Sequence, residues 1–154
     1  MEIETTINGE AHKLDVPANW SLADLLRKKL GLIGVKLGCE MGECGSCTVL
    51  VDGEPVNSCL MLGVEADGKE IQTIEGLSTD GKLHPLQEAF ILYGAIQCGF
   101  CTPGMILSAK ALLDKNPRPT EEEIRGALEG NLCRCTGYVK PMQAMLSVAK
   151  RNRT

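Results

Sequence analysis

The sequence is poor in aromatic residues. Trp20, Phe90, Tyr93, Phe100 and Tyr138 are the whole set. The core must therefore be built from Leu, Ile, Val, Ala and Met. No apolar run reaches the roughly 18 residues that a membrane-crossing helix needs. The first residues, Met1-Glu2-Ile3-Glu4-Thr5-Thr6, are too acidic and too polar for a signal peptide. No twin-arginine pair precedes an apolar stretch. A cytoplasmic protein with no membrane segment is the expectation. A basic excess is also lacking, since the net charge is −4. Residues 1–75 carry six Lys/Arg against thirteen Asp/Glu, and residues 76–154 carry ten against seven. The acidic first half argues against nucleic-acid binding, which needs a phosphate-neutralising basic face. It reads equally as a solvated surface or as an acidic docking face.

What is abundant is cysteine and glycine, eight and seventeen of them. The 154 residues allow one large domain or two small ones. Two small domains would sit near the size at which an apolar core alone gives little stability. Such domains carry a staple, and eight cysteines offer one. Structural disulfides are rare in a reducing compartment, so the cysteines point to metal.

The pattern along the chain is α+β. Glu2–Asn8 and Glu10–Val16 alternate as strands about an Asn8-Gly9 hairpin turn. Ser21 opens a helix, with Asp24 as its capping partner. Leu22, Leu25, Leu26 and Leu30 share one face, and Gly31 stops the run. A Gly/Cys-rich loop spans Gly38 to Cys47. Thr48–Val51 and Val56–Leu62 follow as strands around Asp52-Gly53, and Glu70–Ile74 is a last short strand. This is a β-grasp-like pattern over residues 1–75. Residues 76–83 read as a linker. Residues 84–154 read as a compact four-helix bundle. Its helices are Pro85–Tyr93, Thr102–Lys115, one capped by Thr120 and Glu123 that ends at Gly130, and Pro141–Arg151.

The cysteines fall into two sets of four. Cys39, Cys44, Cys47 and Cys59 are spaced C-x4-C-x2-C-x11-C, the plant-type [2Fe–2S] ligand spacing. Two ferric ions, two sulfides and four thiolates leave a net charge of about −2, which backbone N–H groups must offset. Gly38, Gly42 and Gly45 stand in the loop where such N–H nests would form. Cys59, on the following strand, would bind the loop to the sheet. Cys98, Cys101, Cys133 and Cys135 form the second set, C-x2-C and C-x-C. Each pair precedes a helix, where anions are favoured, so a cluster there would tie two helix starts together. Zinc is the competing metal. The three-cysteine loop of the first set does not look like two zinc knuckles, and C-x-C is not a usual knuckle, although C-x2-C is. A disulfide framework would strain a Cys-x-Cys bridge. His12 and His84 have no ligand-like neighbours in the sequence and read as structural.

Three stretches resemble a known family. Gly38-Cys39-Glu40-Met41-Gly42-Glu43-Cys44-Gly45-Ser46-Cys47-Thr48-Val49 is similar to the first-cluster motif of the xanthine dehydrogenase/molybdenum hydroxylase family. Gln97-Cys98-Gly99-Phe100-Cys101-Thr102-Pro103-Gly104-Met105 and Gly130-Asn131-Leu132-Cys133-Arg134-Cys135-Thr136-Gly137-Tyr138 resemble its second-cluster motifs. The similarity covers essentially the whole chain. It implies a plant-ferredoxin-like domain followed by a four-helix domain, each with one [2Fe–2S] cluster. It implies two partners, a large subunit with a molybdenum–pterin cofactor and a medium subunit with FAD, assembled as a dimer of heterotrimers. The chain would relay electrons and would not be catalytic alone. Gln97 matches the family glutamine that hydrogen-bonds the pterin, and Cys135 matches the ligand nearest the pterin, where electrons would arrive. Arg134 reads either as an offset to cluster charge or as surface packing, and Tyr138 as a packing residue. Pro141 departs from the family, which usually has an apolar β-branched residue there; this puts the usual start of the last helix in doubt, not the cluster. A stand-alone two-cluster ferredoxin or redox sensor is the alternative function, but a lone ferredoxin would need only the first 75 residues or so.

Overall fold

The computed structural model describes residues 1–151; the end of the expected helical domain, 152–154, lies outside the described residues. The chain begins with a hairpin, β1 (Glu2–Ile7) and β2 (Glu10–Asp15), paired antiparallel from Glu2↔Asp15 to Ile7↔Glu10. Asn8 (φ 53°) and Gly9 (φ 84°) both take left-handed backbone. That twist suits a two-residue hairpin turn and ends β1 one residue before the expected limit. Helix α1 (Leu22–Asp24) starts at Ser21, whose hydroxyl accepts the Asp24 N–H at 3.1 Å while the Asp24 carboxylate accepts the Ser21 N–H at 3.3 Å. The helix widens at once into a π-helical stretch, Leu25–Lys29. Leu22, Leu25 and Leu26 stay fully buried beneath the sheet.

Next come β3 (Thr48–Val51) and β4 (Glu54–Asn57), antiparallel, and then β5 (Glu70–Gln72). The five strands run β2-β1-β5-β3-β4, with β5 parallel to β1 and antiparallel to β3. The strand expected over Val56–Leu62 is corrected here. Pairing stops at Asn57, where the Leu60 N–H turns back to the Asn57 carbonyl at 2.9 Å. Ser58 is fully buried and donates its hydroxyl to the Cys47 carbonyl at 2.6 Å. Cys59 therefore sits on a turn beyond β4 rather than on a strand. Continued strand would have carried it away from Cys47.

The second half is four helices: α2 (Pro85–Leu92), α3 (Thr102–Lys115), α4 (Glu121–Leu128) and α5 (Val139–Arg151). His84 caps α2, its Nδ1 accepting the Leu86 N–H at 3.2 Å. Thr120 and Glu123 form the expected capping box of α4. The start of α5 differs from expectation. The helix begins at Val139, and Pro141 is its third residue. Prolines are tolerated in a first turn because those N–H groups have no partner within the helix. The Met142 N–H bonds the Tyr138 carbonyl at 3.1 Å, so the helix closes around the proline, which is buried.

Each half has its own apolar core. Ile3, Ile7, Val16, Leu22, Leu25, Leu26, Val49 and Ile71 pack in the first. Leu86, Phe90, Met105, Ile124, Met145 and Val148 pack in the second. A third cluster joins them: Leu50 on β3 meets Leu107 and Ala111 on α3. The halves also interlock through backbone. A Cβ on Gly45 would lie 2.0 Å from the Gly130 carbonyl oxygen, and one on Gly104 would lie 2.4 Å from the Gly45 carbonyl oxygen. Only glycine permits either approach. Leu107 is 1% exposed and carries much of the joining cluster. Leu107→Ala should lower the unfolding free energy by about 2–5 kcal/mol, read from the urea midpoint of the metal-loaded chain. Leu92→Ala, at a residue 71% exposed, should change it by less than about 0.5 kcal/mol.

Candidate metal centres

The first cysteine loop, residues 38–47, lies between the π-helical stretch and β3. Cys39, Cys44 and Cys59 are half-buried and Cys47 is buried. Cys39 Sγ accepts the N–H of Met41 at 3.5 Å and that of Cys44 at 3.4 Å. These bonds, the one from Met41 foremost, draw the Cys39 thiol down to about 7. Burial pushes the Cys47 thiol up to about 11, and the facing Cys59 thiol adds to the rise. The loop is tied down on its flank. Asn57 Nδ2 donates to the Gly42 carbonyl at 2.9 Å, and the Thr48 hydroxyl donates to the Gly45 carbonyl at 2.7 Å. Left-handed backbone occurs at Glu40, Gly42 and Gly45. Gly38 is needed instead for space: a Cβ there would lie 3.0 Å from Cys44 Sγ.

The second set gathers at the N-terminal ends of α3 and α5. Cys101 is buried at the start of α3, and burial first, then the Cys133 thiol, pushes it up to about 12. Burial would also raise Cys133, but hydrogen bonds outweigh it and bring that thiol down to about 7. The bonds come from the Thr136 hydroxyl at 3.2 Å and from the N–H groups of Thr136 and Cys135, both at 3.4 Å. Thr136 Oγ1 in turn accepts the Tyr138 N–H at 3.2 Å, and the Tyr138 hydroxyl accepts the Cys133 N–H at 2.8 Å. The loop from Cys133 to Tyr138 is thereby closed on itself. Cys98 and Cys135 are exposed, with their sulfurs 3.6 Å apart. The Cys98 thiol raises that of Cys135. Gln97 Nε2 donates to the Cys135 carbonyl at 3.1 Å.

The thiols therefore meet two by two: Cys39 with Cys44, Cys47 with Cys59, Cys101 with Cys133, and Cys98 with Cys135. A tetrahedral zinc site draws four ligands to one point. A two-iron group takes two thiolates at each iron, and thiols that meet in pairs fit it. N–H groups aimed at Cys39 and Cys133 suit its negative charge.

All eight predicted cysteines fall into these pairs, and Gln97 joins the two motifs of the second set. His12 stands apart on β2, and His84 caps a helix. Three further residues belong to the sites, and the reading of Tyr138 as a packing residue is corrected, since its hydroxyl takes a hydrogen bond beside the second set. Thr136 holds the Cys133 sulfur and Tyr138 holds the Cys133 N–H. Asn131, 2% exposed, reaches across to the first loop. Its place beside a C-x-C pair, within a stretch that resembles a second-cluster motif, was its signal in the sequence.

Comparison with known proteins agrees with this geometry. Residues 5–77 match a 2Fe-2S iron-sulfur cluster binding domain, and residues 73–146 match a [2Fe-2S] binding domain. The chain is 54% identical to the nicotinate dehydrogenase small FeS subunit of Eubacterium barkeri over 149 residues, covering 97% of this chain and 95% of that one. It is 51% identical to the xanthine dehydrogenase iron-sulfur-binding subunit of Escherichia coli O157:H7 over 151 residues, covering 96% and 94%. A chain of quinoline 2-oxidoreductase from Pseudomonas putida 86 superimposes with a TM-score of 0.95 at 49% identity, covering 99% of this chain and 96% of that one. With two cluster-binding domains in sequence and relatives of this identity along nearly its whole length, the chain belongs to the small [2Fe–2S] iron–sulfur subunits of the xanthine dehydrogenase/molybdenum hydroxylase family.

Proposed function

We propose that the chain relays electrons from a molybdenum–pterin site in a large subunit to FAD in a medium subunit. The observation that carries this reading is the pairwise meeting of eight thiols in two sets, one of which ends at the surface. Cys39, Cys44, Cys47 and Cys59 would hold the first [2Fe–2S] cluster, and Cys98, Cys101, Cys133 and Cys135 the second. Each cluster, when bound, supplies a one-electron carrier.

The chain's own groups prepare the two positions. N–H groups of Met41 and Cys44 offset negative charge at Cys39. The Thr136 hydroxyl and two N–H groups do the same at Cys133. Exposed Cys98 and Cys135 give the second set an outward edge, and Gln97 fixes the Cys135 backbone beside it. There Cys135 would face the pterin, with Gln97 as its contact. Exposed Ile96 and Leu132 each stand within two residues of a cysteine of this set. Exposed apolar residues around a redox edge favour a docked partner, here the large subunit. The family resemblance adds a dimer of heterotrimers in the cytoplasm to this proposal.

A native pull-down through this chain, kept anaerobic and assayed for iron, molybdenum and flavin, tests the reading. The expected product has about four irons per chain with molybdenum and FAD in co-purifying subunits. Iron without molybdenum or flavin would defeat the relay reading and leave a stand-alone carrier. Cys135→Ser should leave the first cluster's spectrum intact, disrupt the second and stop electron flow to the flavin. Thr136→Val removes a hydrogen bond to Cys133 and should lower the second cluster's potential by tens of millivolts, against about 59 mV per tenfold change in a one-electron equilibrium. Thr136→Ser should keep the original value. Redox titration followed by electron paramagnetic resonance reads both variants.

A further inference from the structure

Asn131 is a buried polar side chain that crosses between the two cysteine loops. It is 2% exposed and sits two residues before Cys133. Its Nδ2 donates to the Gly45 carbonyl at 3.0 Å and to Thr48 Oγ1 at 3.3 Å. Gly45 lies between Cys44 and Cys47, and Thr48 follows Cys47 directly. The Thr48 hydroxyl also donates to the Gly45 carbonyl, at 2.7 Å. One amide thus holds both ends of the Cys44–Cys47 segment from a position on the second cluster's loop. The next residue adds a backbone tie, since the Leu132 N–H bonds the Cys44 carbonyl at 2.9 Å.

The surroundings leave this amide no slack. The Cβ sites of Gly45 and Gly104 would lie 2.7 Å and 3.0 Å from Asn131 Nδ2. A side-chain amide buried among backbone groups is costly unless it is hydrogen-bonded. It also tolerates few geometries, which makes it a good spacer. The apolar contact of Leu50 with Leu107 and Ala111 brings the halves together but has no direction of its own. The amide supplies the direction.

We propose that Asn131 is a positioning residue for electron transfer. By holding the Gly45 carbonyl and Thr48, it fixes the separation and orientation of the two clusters and so sets their electronic coupling. The step it governs is the movement of one electron, with the second cluster oxidised and the first reduced; no bond is made or broken. The proposal rests on the relay reading, but it is a claim about distance that does not depend on which subunits attach.

The test uses the cluster-loaded chain in its native complex, reduced with dithionite until both clusters are paramagnetic. Spin–spin coupling between them, read by electron paramagnetic resonance, falls steeply with separation. Asn131→Ala should retain both clusters and their individual optical and resonance signals. It should also show weakened coupling and a severalfold slower transfer between clusters after flash reduction. Thr48→Val removes one acceptor of the amide and the Thr48 bond to Gly45, and should shift both readouts the same way by less. Coupling and transfer rate unchanged in an Asn131→Ala chain with both clusters would overturn the proposal. If Asn131→Ala loses a cluster, Thr48→Val decides, and unchanged readouts there would also overturn it. Failure of the relay reading registers separately, as absence of molybdenum and flavin from the pull-down, and leaves this coupling measurement standing.

Discussion

Backbone N–H groups aimed at thiol sulfurs are the interaction on which this molecule turns. Four thiolates around two irons bring concentrated negative charge into a small protein with little core to spare. Burial alone opposes that charge, as the raised thiols of Cys47 and Cys101 show. Each buried thiol stands in a set with one that hydrogen bonds have lowered, Cys39 in the first and Cys133 in the second. The loops can aim these donors because their backbone leaves the usual conformations, at Gly42 and Gly45 in one and at Gly137 and Tyr138 in the other. Secondary structure then follows from where the cysteines must stand. Strand β4 ends early so that Cys59 can meet Cys47, and α3 begins where Cys101 needs a helix N-terminus.

The same constraint shapes the joining of the halves. Two small cores with few aromatics gain little from each other by apolar contact alone. The shared cluster of Leu50, Leu107 and Ala111 is modest. Gly45, Gly104 and Gly130 allow backbone to approach backbone, and Asn131 adds a buried polar bridge between the halves. The seam joins the halves with short, directed bonds as well as with area. Cys98 and Cys135 are the opposite case, since both are exposed.

Much of this was legible in the sequence. Spacing alone singled out the eight cysteines, and capping signals at Ser21, Thr120 and the Asn8-Gly9 turn placed the elements within one to three residues. Pro141 marked the last helix but not its first residue. A proline in any position of a first turn meets the same lack of hydrogen-bond partners, so the signal has no finer register. The strand drawn through Cys59 was too long because the apolar residues after Ser58 resemble more strand, whereas the bond that turns the chain there, from the Ser58 hydroxyl to the Cys47 carbonyl, is made with a residue eleven positions upstream.

By itself the sequence determined the two cysteine sets, the α+β order of elements and, through three long motifs, the family. These are local or spacing properties, written in the identity of nearby residues. The tertiary structure alone decided which thiols pair, that Thr136 and Tyr138 hold Cys133, that Gly45 is a glycine because Gly130 lies against it, and that Asn131 spans the seam. Each of these joins groups by distance and direction in space, and Asn131 and Gly45 stand 86 positions apart along the chain.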